Sequence, residues 1–242
     1  MPTNDKVTDR REVDAKTTDQ REVDGKASDR REVDWNLYRE QFPSRYWEEG
    51  EFDERLEQFF GQVGKVSTAL DIGGGVLGTR ALKDFALRRQ LVCDLLDPYV
   101  AALAPHFKAA RNWGDVGPRE YDVICARGSI NYLSVEELRV VRAMMSPGGC
   151  FVANTFLNAP STELVRRKAI NAQGLVGFEE SQLIDKVVHH RVVFGEGLPE
   201  GQGYDVSHTF FFHPLETYQA IFPNLQVTTY GKNSAMLVAW NI

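Results

Sequence analysis

Three glycines with the spacing G-x-G-x-x-G stand in the stretch LDIGGGVLGTRAL, between an apolar run and a basic, helix-like run. They are Gly73, Gly75 and Gly78. Such a turn lets the backbone approach a ligand closely, and dinucleotides, flavins and S-adenosylmethionine all bind loops of this kind. Asp94 follows Asp71 by 23 positions, in the next apolar run, where a carboxylate can accept hydrogen bonds from both ribose hydroxyls of an adenosine. The spacing therefore predicts an adenosine-containing cofactor and leaves its identity open.

The carboxylate of Asp71, two residues before the first glycine, separates the alternatives. A dinucleotide places a pyrophosphate against such a loop and the following helix N-terminus, and a carboxylate there would repel it. S-adenosylmethionine has no phosphate and carries an ammonium group and a sulfonium, so the same carboxylate favours it, directly or through a water. The other interpretation of Asp71 is an acid of the turn or of the helix N-terminus. The sequence favours S-adenosylmethionine.

The elements that would position these residues alternate along the middle of the chain. Strands are predicted at 68–72 and in LVCDLL, YDVICA and GCFVANTF, and helices at 79–89 and 134–145. Ser134 and Glu137 have the spacing of a capping box at the start of the second helix. This alternation predicts a parallel sheet with helices on both faces, which binds ligands at the carboxyl ends of its strands.

Beyond Phe156 the pattern changes. Residues 161–174 are predicted to form a polar helical segment, and KVVHHRVVF and YDVSHTFFFH to pair as an antiparallel lid. The chain then ends in a helix, PLETYQAIF, and two strands, LQVTTYG and AMLVAWN.

From about Ser67 to Phe156, the sequence resembles the class I S-adenosylmethionine-dependent methyltransferases. The segments that carry the resemblance are, in strand order, TALDIGGGVLG, LVCDLLDP, WGD, YDVICARGSINYLS and SPGGCFVANTF. The resemblance implies an α/β, Rossmann-like fold with a doubly wound, mostly parallel seven-stranded sheet. It also implies an antiparallel last strand. The lid or flap predicted beyond Phe156 is then an insertion in this fold.

The resemblance further implies how the cofactor is held. Asp71 and the glycines would lie near its methionine end, and Asp94 would hold the ribose, with Asp97 as the alternative ribose acid. Spacing favours Asp94. Asp115 would meet the adenine amino group, with Trp113 or Val116 against the ring, and Arg127, Gly128 and Ser129 would line the end of the fourth strand. The predicted cofactor-binding residues are Asp71, Gly73, Gly75, Gly78, Asp94, Leu95, Asp115, Val116, Arg127 and Gly128.

Methyl transfer is an in-line displacement that needs alignment, exclusion of water and, for a protonated acceptor, a base. Tyr132 and His208 are the predicted catalytic residues, and Asn131, Tyr132 and His213 are the predicted substrate-binding residues. Packing and capping at the strand end are the alternative roles for Asn131 and Tyr132, and satisfying the local fold is the alternative for His208 and His213. Aromatic residues before the first strand could close over the cofactor or simply pack in the core: Tyr38, Tyr46 and Trp47.

Composition limits the partners. The chain has 242 residues, a net charge of −6 and a pI near 5.5, which argues against a broad nucleic-acid footprint. The stretch ARGSINYL also lacks the Asn/Asp-Pro-Pro-aromatic element of methyltransferases that act on nucleic-acid bases. No apolar run is long enough to span a membrane and no signal peptide is evident, so we expect a cytoplasmic protein. Cys93, Cys125 and Cys150 are expected to be buried thiols, and His189 and His190 to face opposite sides of a strand, so no metal site is predicted.

Residues 7–36 contain three copies of a ten-residue repeat, VTDRREVDAK, TTDQREVDGK and ASDRREVDWN. Its period places the valines on no common helical stripe, and the segment is charged and free of aromatic residues until Trp35. We expect residues 1–34 to be a disordered or transiently helical tail, or alternatively a docking segment for a protein partner. A methyltransferase domain would follow at 35–242, with an N-terminal helical cap at 35–66 and a substrate-covering insertion at 157–213.

The sequence thus predicts an S-adenosylmethionine-dependent methyltransferase with a small-molecule O, N or C acceptor, of specialised metabolism. Two alternatives remain open. One is an NAD(P)-dependent oxidoreductase, and the other is a noncatalytic S-adenosylmethionine-binding protein that acts through its repeat tail. The oligomeric state is not predicted.

Overall fold

A computed structural model describes residues 47–75, 79–97, 107–116, 119–171, 173–196 and 203–242. The repeat tail, together with its predicted role, lies outside these residues. No helix among the described residues has both the length and the apolar character needed to cross a membrane.

Seven strands form the main sheet, in the order β3-β2-β1-β4-β5-β11-β10. Neighbouring strands from β3 to β5 pair in parallel, and β11 runs antiparallel to both β5 and β10. The predicted sheet with an antiparallel last strand is therefore confirmed. Its strands are β1 (Ala69–Ile72), β2 (Cys93–Leu96), β3 (Phe107–Ala110), β4 (Tyr121–Ala126), β5 (Met145–Phe156), β10 (Leu225–Tyr230) and β11 (Ser234–Trp240).

Helices cover both faces of this sheet, which explains why its central strands are apolar on both sides. On one face, α1 (Trp47–Gln62) and α2 (Arg80–Arg89) bury Phe52, Phe60 and Phe85 among Ala69, Leu95 and Val123. On the other face, the core includes side chains of α4 (Val135–Ala143) and α5 (Leu215–Ile221), with Leu138, Tyr218 and Phe222.

The helix boundaries follow local signals. The Ser134 hydroxyl accepts from the Glu137 amide and the Glu137 carboxylate accepts from the Ser134 amide, so the predicted capping box is formed. The third strand differs from the prediction. It is Phe107–Ala110, whereas the expected strand residues WGD belong to the short helix α3 (Trp113–Val116) that follows it.

A second, antiparallel sheet has the order β6-β7-β8-β9. Its strands are β6 (Val165–Ile170), β7 (Val176–Ile184), β8 (Val187–Phe194) and β9 (Tyr204–Phe211). The pairing of the last two was predicted and is confirmed. Asp185 and Lys186 connect β7 to β8 with positive φ at both residues, as a two-residue type I′ turn requires.

The prediction of a polar helix at 161–174 is wrong. Residues 165–170 form β6, and Arg166 lies over the Phe178 ring of β7 at 3.4 Å from its centroid, with a salt bridge to Glu180. Cross-strand contacts of this kind override the weak helical preference of VRRKAI, since propensity is only a local prior.

Candidate active site

The glycine loop lies at the carboxyl end of β1, where the strand order reverses. From β1 the chain continues to β2 on one side, while β4 on the other side continues to β5. The Gly73 amide donates to the Leu96 carbonyl at 2.8 Å, and the Ser129 hydroxyl donates to the Ile72 carbonyl. The loop is thus held between the ends of β2 and β4, in the crevice where open α/β sheets bind ligands.

Each described glycine of the loop has a distinct physical requirement. Gly73 and Gly75 both have φ of +70°, which favours glycine. A Cβ on Gly73 would lie 2.5 Å from the Ser129 Cβ, whereas no described atom lies within 4 Å of the position of a Cβ on Gly75. The predicted contact Gly78 lies outside the described residues.

Gly74 was not among the predicted site residues. A Cβ there would lie 2.3 Å from Asp71 Oδ2 and 2.9 Å from the Thr79 amide nitrogen. The missing side chain therefore lets the loop lie directly over the Asp71 carboxylate. The uninterrupted run of three glycines was the signal for this close approach.

The Asp71 carboxylate is fully buried and faces Thr79. Oδ2 accepts from the Thr79 amide at 2.6 Å and Oδ1 accepts from the Thr79 hydroxyl at 2.9 Å. Burial raises the pKa of Asp71 to about 6, although the bonds from Thr79 and the charge of Arg127 favour the ionised form. Both carboxylate oxygens bind Thr79 at the start of α2. This geometry matches the other interpretation of Asp71, an acid of the helix N-terminus, rather than a direct contact with the cofactor.

The structure separates the two candidate ribose acids. Asp97 Oδ2 accepts from the Gly75 amide at 3.0 Å, which places this carboxylate at the glycine loop. Asp94 instead accepts from the Tyr121 hydroxyl and from Arg119 Nη1, at the residues where β4 begins. The preferred ribose acid, Asp94, thus binds groups at the start of β4, whereas the alternative, Asp97, binds the glycine loop. Leu95, beside Asp94, is buried in the core under α1 and α2.

The predicted adenine-side residues lie after β3. Asp115 is exposed, and its Oδ2 accepts from the Arg111 amide at 2.9 Å. Val116 is buried, while Trp113 donates its indole N–H to Glu137 Oε1 at 3.0 Å. Asp115 therefore stabilises its own turn, and the Trp113 ring is tied to α4.

The end of β4 is tied to two neighbouring elements. Arg127 makes a bidentate salt bridge with Asp53 of α1, at 2.5 and 2.9 Å, so its guanidinium is directed at this helix. The Gly128 amide donates to Asn154 Oδ1 of β5 at 2.6 Å. Gly128 has φ of +68°, and no described atom lies within 4 Å of where its Cβ would be.

The predicted substrate residues divide into two groups. Asn131 is buried, and its Oδ1 accepts from the Thr155 hydroxyl at 2.9 Å and from the Tyr218 hydroxyl at 3.3 Å. His213 is also buried, with Nε2 2.8 Å from the Leu133 carbonyl, and burial is the main cause that lowers its pKa. Both side chains therefore bind groups of the protein interior rather than facing an open crevice.

Tyr132 and His208, the two predicted catalytic residues, lie near each other. Their ring centroids are 6.4 Å apart, and Phe210 lies 6.0 Å from Tyr132 and 5.9 Å from His208. Phe156, at the end of β5, lies 6.4 Å from Phe210. We call Tyr132, Phe156, His208 and Phe210 the ring cluster. Sequence reasoning missed Phe156 and Phe210, because cross-element neighbours leave no local signal.

His190 and His208 occupy directly opposite positions on β8 and β9, with ring centroids 4.9 Å apart. His189 pairs in register with Thr209 and so lies on the other face, as predicted. Among the described residues, no group of three or more His, Cys, Asp or Glu side chains is placed to hold a metal. Cys93, Cys125 and Cys150 are buried thiols, and burial raises the pKa of each. Tyr38, Tyr46 and the Trp47 side chain lie outside the described residues.

Solved structures from three organisms are similar to this chain. Streptomyces venezuelae DesVI aligns with a TM-score of 0.54 and 14% identity, over 85% of this chain and 95% of that chain. The CcbJ methyltransferase from Streptomyces caelestis aligns with a TM-score of 0.57 and 13% identity, over 77% of this chain and 93% of that chain. For the 1,6-didemethyltoxoflavin-N1-methyltransferase of Burkholderia thailandensis, solved with S-adenosylhomocysteine, the TM-score is 0.47 at 12% identity, over 85% of each chain.

No protein-family model matches the chain, and no characterised protein matches it by sequence. The likeness to DesVI and to the CcbJ methyltransferase confirms the predicted Rossmann-like methyltransferase fold.

Proposed function

We propose that this protein transfers a methyl group from S-adenosylmethionine to a small-molecule O, N or C acceptor. The observation that carries the proposal is the loop Gly73–Gly75 at the topological switch point between β1 and β4, with Asp71 beneath it and Asp97 beside it. The fold similarity to the CcbJ methyltransferase supports the same reaction class.

The residues around the loop fit this cofactor. At Gly75 and Gly128, both with positive φ, no described atom lies within 4 Å of where a Cβ would be, which permits close approach of a ligand. Asp97 is the carboxylate positioned to accept from ribose hydroxyls, and the negative charge of Asp71 favours the cationic methionine end. When bound, the cofactor supplies an electrophilic methyl group on sulfur.

The Asp71 carboxylate also argues against the NAD(P)-dependent alternative. A pyrophosphate over the loop would face the ionised Asp71, which is separated from the loop surface only by Gly74. In a buried environment such a like-charge contact is costly. The structure also leaves the two oxygens of Asp71 bonded to Thr79 at the start of α2, where a dinucleotide phosphate would bind.

On the acceptor side, the ring cluster supplies Tyr132 and His208. Both side chains can form a hydrogen bond with the molecule that receives the methyl group, and a neutral imidazole can remove a proton from that molecule. Asn131 and His213 act indirectly, since they fix the segment 131–133 on which Tyr132 lies. The net charge of −6 and the contact of Tyr132 with the second sheet favour a small molecule over a nucleic acid. We propose that this small molecule belongs to specialised metabolism.

Calorimetric titration of the full chain with S-adenosylhomocysteine, NAD and NADP tests the proposal. We expect binding of S-adenosylhomocysteine and of neither dinucleotide. A folded protein that fails to bind S-adenosylhomocysteine, or that prefers a dinucleotide, would refute the cofactor assignment. Binding without methyl transfer to any member of a broad metabolite panel would support the noncatalytic alternative.

A further inference from the structure

The ring cluster combines residues from three elements at one edge of the main sheet. Tyr132 belongs to a short 3-10 helix (Ile130–Tyr132) after β4, Phe156 ends β5, and His208 and Phe210 lie on β9. His208 and Phe210 are two residues apart on one strand and so project from the same face of the second sheet.

This cluster borders the same crevice as the glycine loop. Tyr132 follows Ser129 by three residues, and the Ser129 hydroxyl binds the last residue of β1. Phe156 follows Asn154 by two residues, and Asn154 accepts from the Gly128 amide. A molecule that lies against the rings is therefore beside the proposed methyl donor.

The rings differ from those of the core in their exposure. Phe156 is 46% exposed, and Tyr132 and Phe210 are half-buried, whereas Phe52 and Phe85 of the core are completely covered. Exposed aromatic surface at the ligand-binding edge of a sheet favours a flat, apolar ligand, because stacked and edge-to-face contacts then add to burial.

His208 is the member of the cluster suited to proton transfer. His208 is buried, and its ring packs near the rings of Tyr132 and Phe210. It also meets His190 edge-on, with ring centroids 4.9 Å apart. These contacts hold the imidazole among the rings, where a bound acceptor would meet it. A general base is needed for an acceptor whose nucleophilic atom carries a weakly acidic proton.

We infer that the acceptor is a planar aromatic ring bearing a hydroxyl group, bound by the ring cluster, with His208 as the base. This inference rests on the proposed function. The hydroxyl proton passes to neutral His208, the oxygen forms a bond to the methyl carbon, and the carbon–sulfur bond breaks with its electron pair left on sulfur. His208 then releases the proton to water.

Binding to the protein saturated with S-adenosylhomocysteine tests the acceptor class. The probes are 2-naphthol and decahydro-2-naphthol, which share a hydroxyl and a size and differ in aromaticity. We expect 2-naphthol to bind roughly tenfold more tightly, and Phe156→Leu to reduce this preference to less than threefold. The matched control Phe178→Leu, on the outer face of β7 under Arg166, should retain it.

The outcomes separate the two proposals. If S-adenosylhomocysteine itself does not bind, the cofactor assignment fails. If it binds but the two naphthols bind equally or not at all, or if Phe156→Leu keeps the full preference, the aromatic acceptor is refuted.

The base is tested by the rate of formation of 2-methoxynaphthalene, followed by mass spectrometry. We expect His208→Asn to lower this rate roughly 100-fold, and His189→Asn, on the opposite face of the second sheet, to leave it within twofold. With pentafluorophenol, which is ionised at neutral pH, His208→Asn should lose less than fivefold. Equal losses for both phenols would show that His208 does not act as a base.

Discussion

Asp94 and Asp97 illustrate how the position of one residue along a strand decides what it can bind. Asp94 lies within β2, whereas Asp97 follows Leu96, the last residue of this strand, at the carboxyl end. Asp94 binds Tyr121 and Arg119 where β4 begins, and Asp97 binds Gly75 at the opposite end of the sheet.

We expect Asp97→Asn to weaken binding of S-adenosylhomocysteine by about tenfold, because hydrogen bonds to a charged group contribute about 1.5–3 kcal/mol. Asp94→Asn is the matched control on the same segment. It should change the affinity less than twofold while lowering the melting temperature, since it weakens the bonds to Tyr121 and Arg119. Calorimetry and thermal unfolding measure both, and the reverse order of affinities would return the ribose role to Asp94.

At the scale of elements, α1 and α2 are fixed at the cofactor edge by charged side chains. Arg127 binds Asp53 of α1, and Arg80 at the start of α2 binds Glu57 of α1 at 2.7 Å. The first pair is mostly buried and lies at the end of β4, whereas the second pair is largely exposed. The charge of Arg127 in the first pair acts on Asp71 beneath the glycine loop.

We expect Asp53→Asn to reduce the affinity for S-adenosylmethionine roughly threefold to tenfold more than the affinity for S-adenosylhomocysteine, because an unbalanced Arg127 cation repels the sulfonium and not the neutral thioether. Glu57→Gln, which removes the exposed pair, should leave the ratio of the two affinities unchanged. Titration of each variant with both ligands measures this ratio. Equal losses for both ligands would mean that Asp53 has only a structural role.

The burial of Asp71 makes stability depend on pH, because it raises the pKa of this carboxyl more than the bonds from Thr79 lower it. Its pKa is about 6 in the folded protein and near 3.8 in the unfolded chain, so the folded state binds the extra proton between these values. Stability from this group is therefore greatest below pH 4 and falls as the pH rises to 6, by about 3 kcal/mol in total.

Asp71→Asn removes this titration. Urea unfolding at pH 4, 5, 6 and 7 should show that the wild type loses stability relative to Asp71→Asn as the pH rises to 6, with little further change at pH 7. A constant difference across this range would contradict the raised pKa.

At the scale of the whole molecule, described side chains beside the crevice join the second sheet to elements packed on the main sheet. Tyr132 packs on His208 and Phe210, and His213, just after β9, binds the Leu133 carbonyl. His213 also packs edge-on against Tyr218 of α5 at 5.7 Å. The position of β9 over the crevice therefore depends on His213.

We expect His213→Leu to lower the free energy of unfolding by about 1–3 kcal/mol, since a buried carbonyl loses its hydrogen-bond partner. Hydrogen exchange in β9 should accelerate more than exchange in β1. His189→Leu, half-buried on the outer face of β8, should change the free energy of unfolding by less than about 0.5 kcal/mol. Unchanged exchange in β9 would show that His213 does not fix the second sheet.

The local sequence was sufficient for most strands of the main sheet, although it assigned the third strand to WGD, which forms a helix after β3. Short apolar strands separated by helix signals, such as the Ser134–Glu137 capping box, determine an alternating α/β chain, and the handedness and packing rules then leave few topologies. The helix predicted at 161–174 failed because β6 is stabilised by Arg166 contacts with Phe178 and Glu180, which are distant in sequence.

By itself, the sequence determined the glycine loop, the acid before it and the alternation of strands and helices in the middle of the chain, because these depend on neighbouring residues and on periodicity. Only the tertiary structure decided that Asp97 rather than Asp94 lies at the loop, that Asp71 faces Thr79, and that Phe156 and Phe210 join Tyr132 and His208. Each of these outcomes depends on strand register and on the packing of one sheet against another, and such contacts join residues that are far apart in the chain.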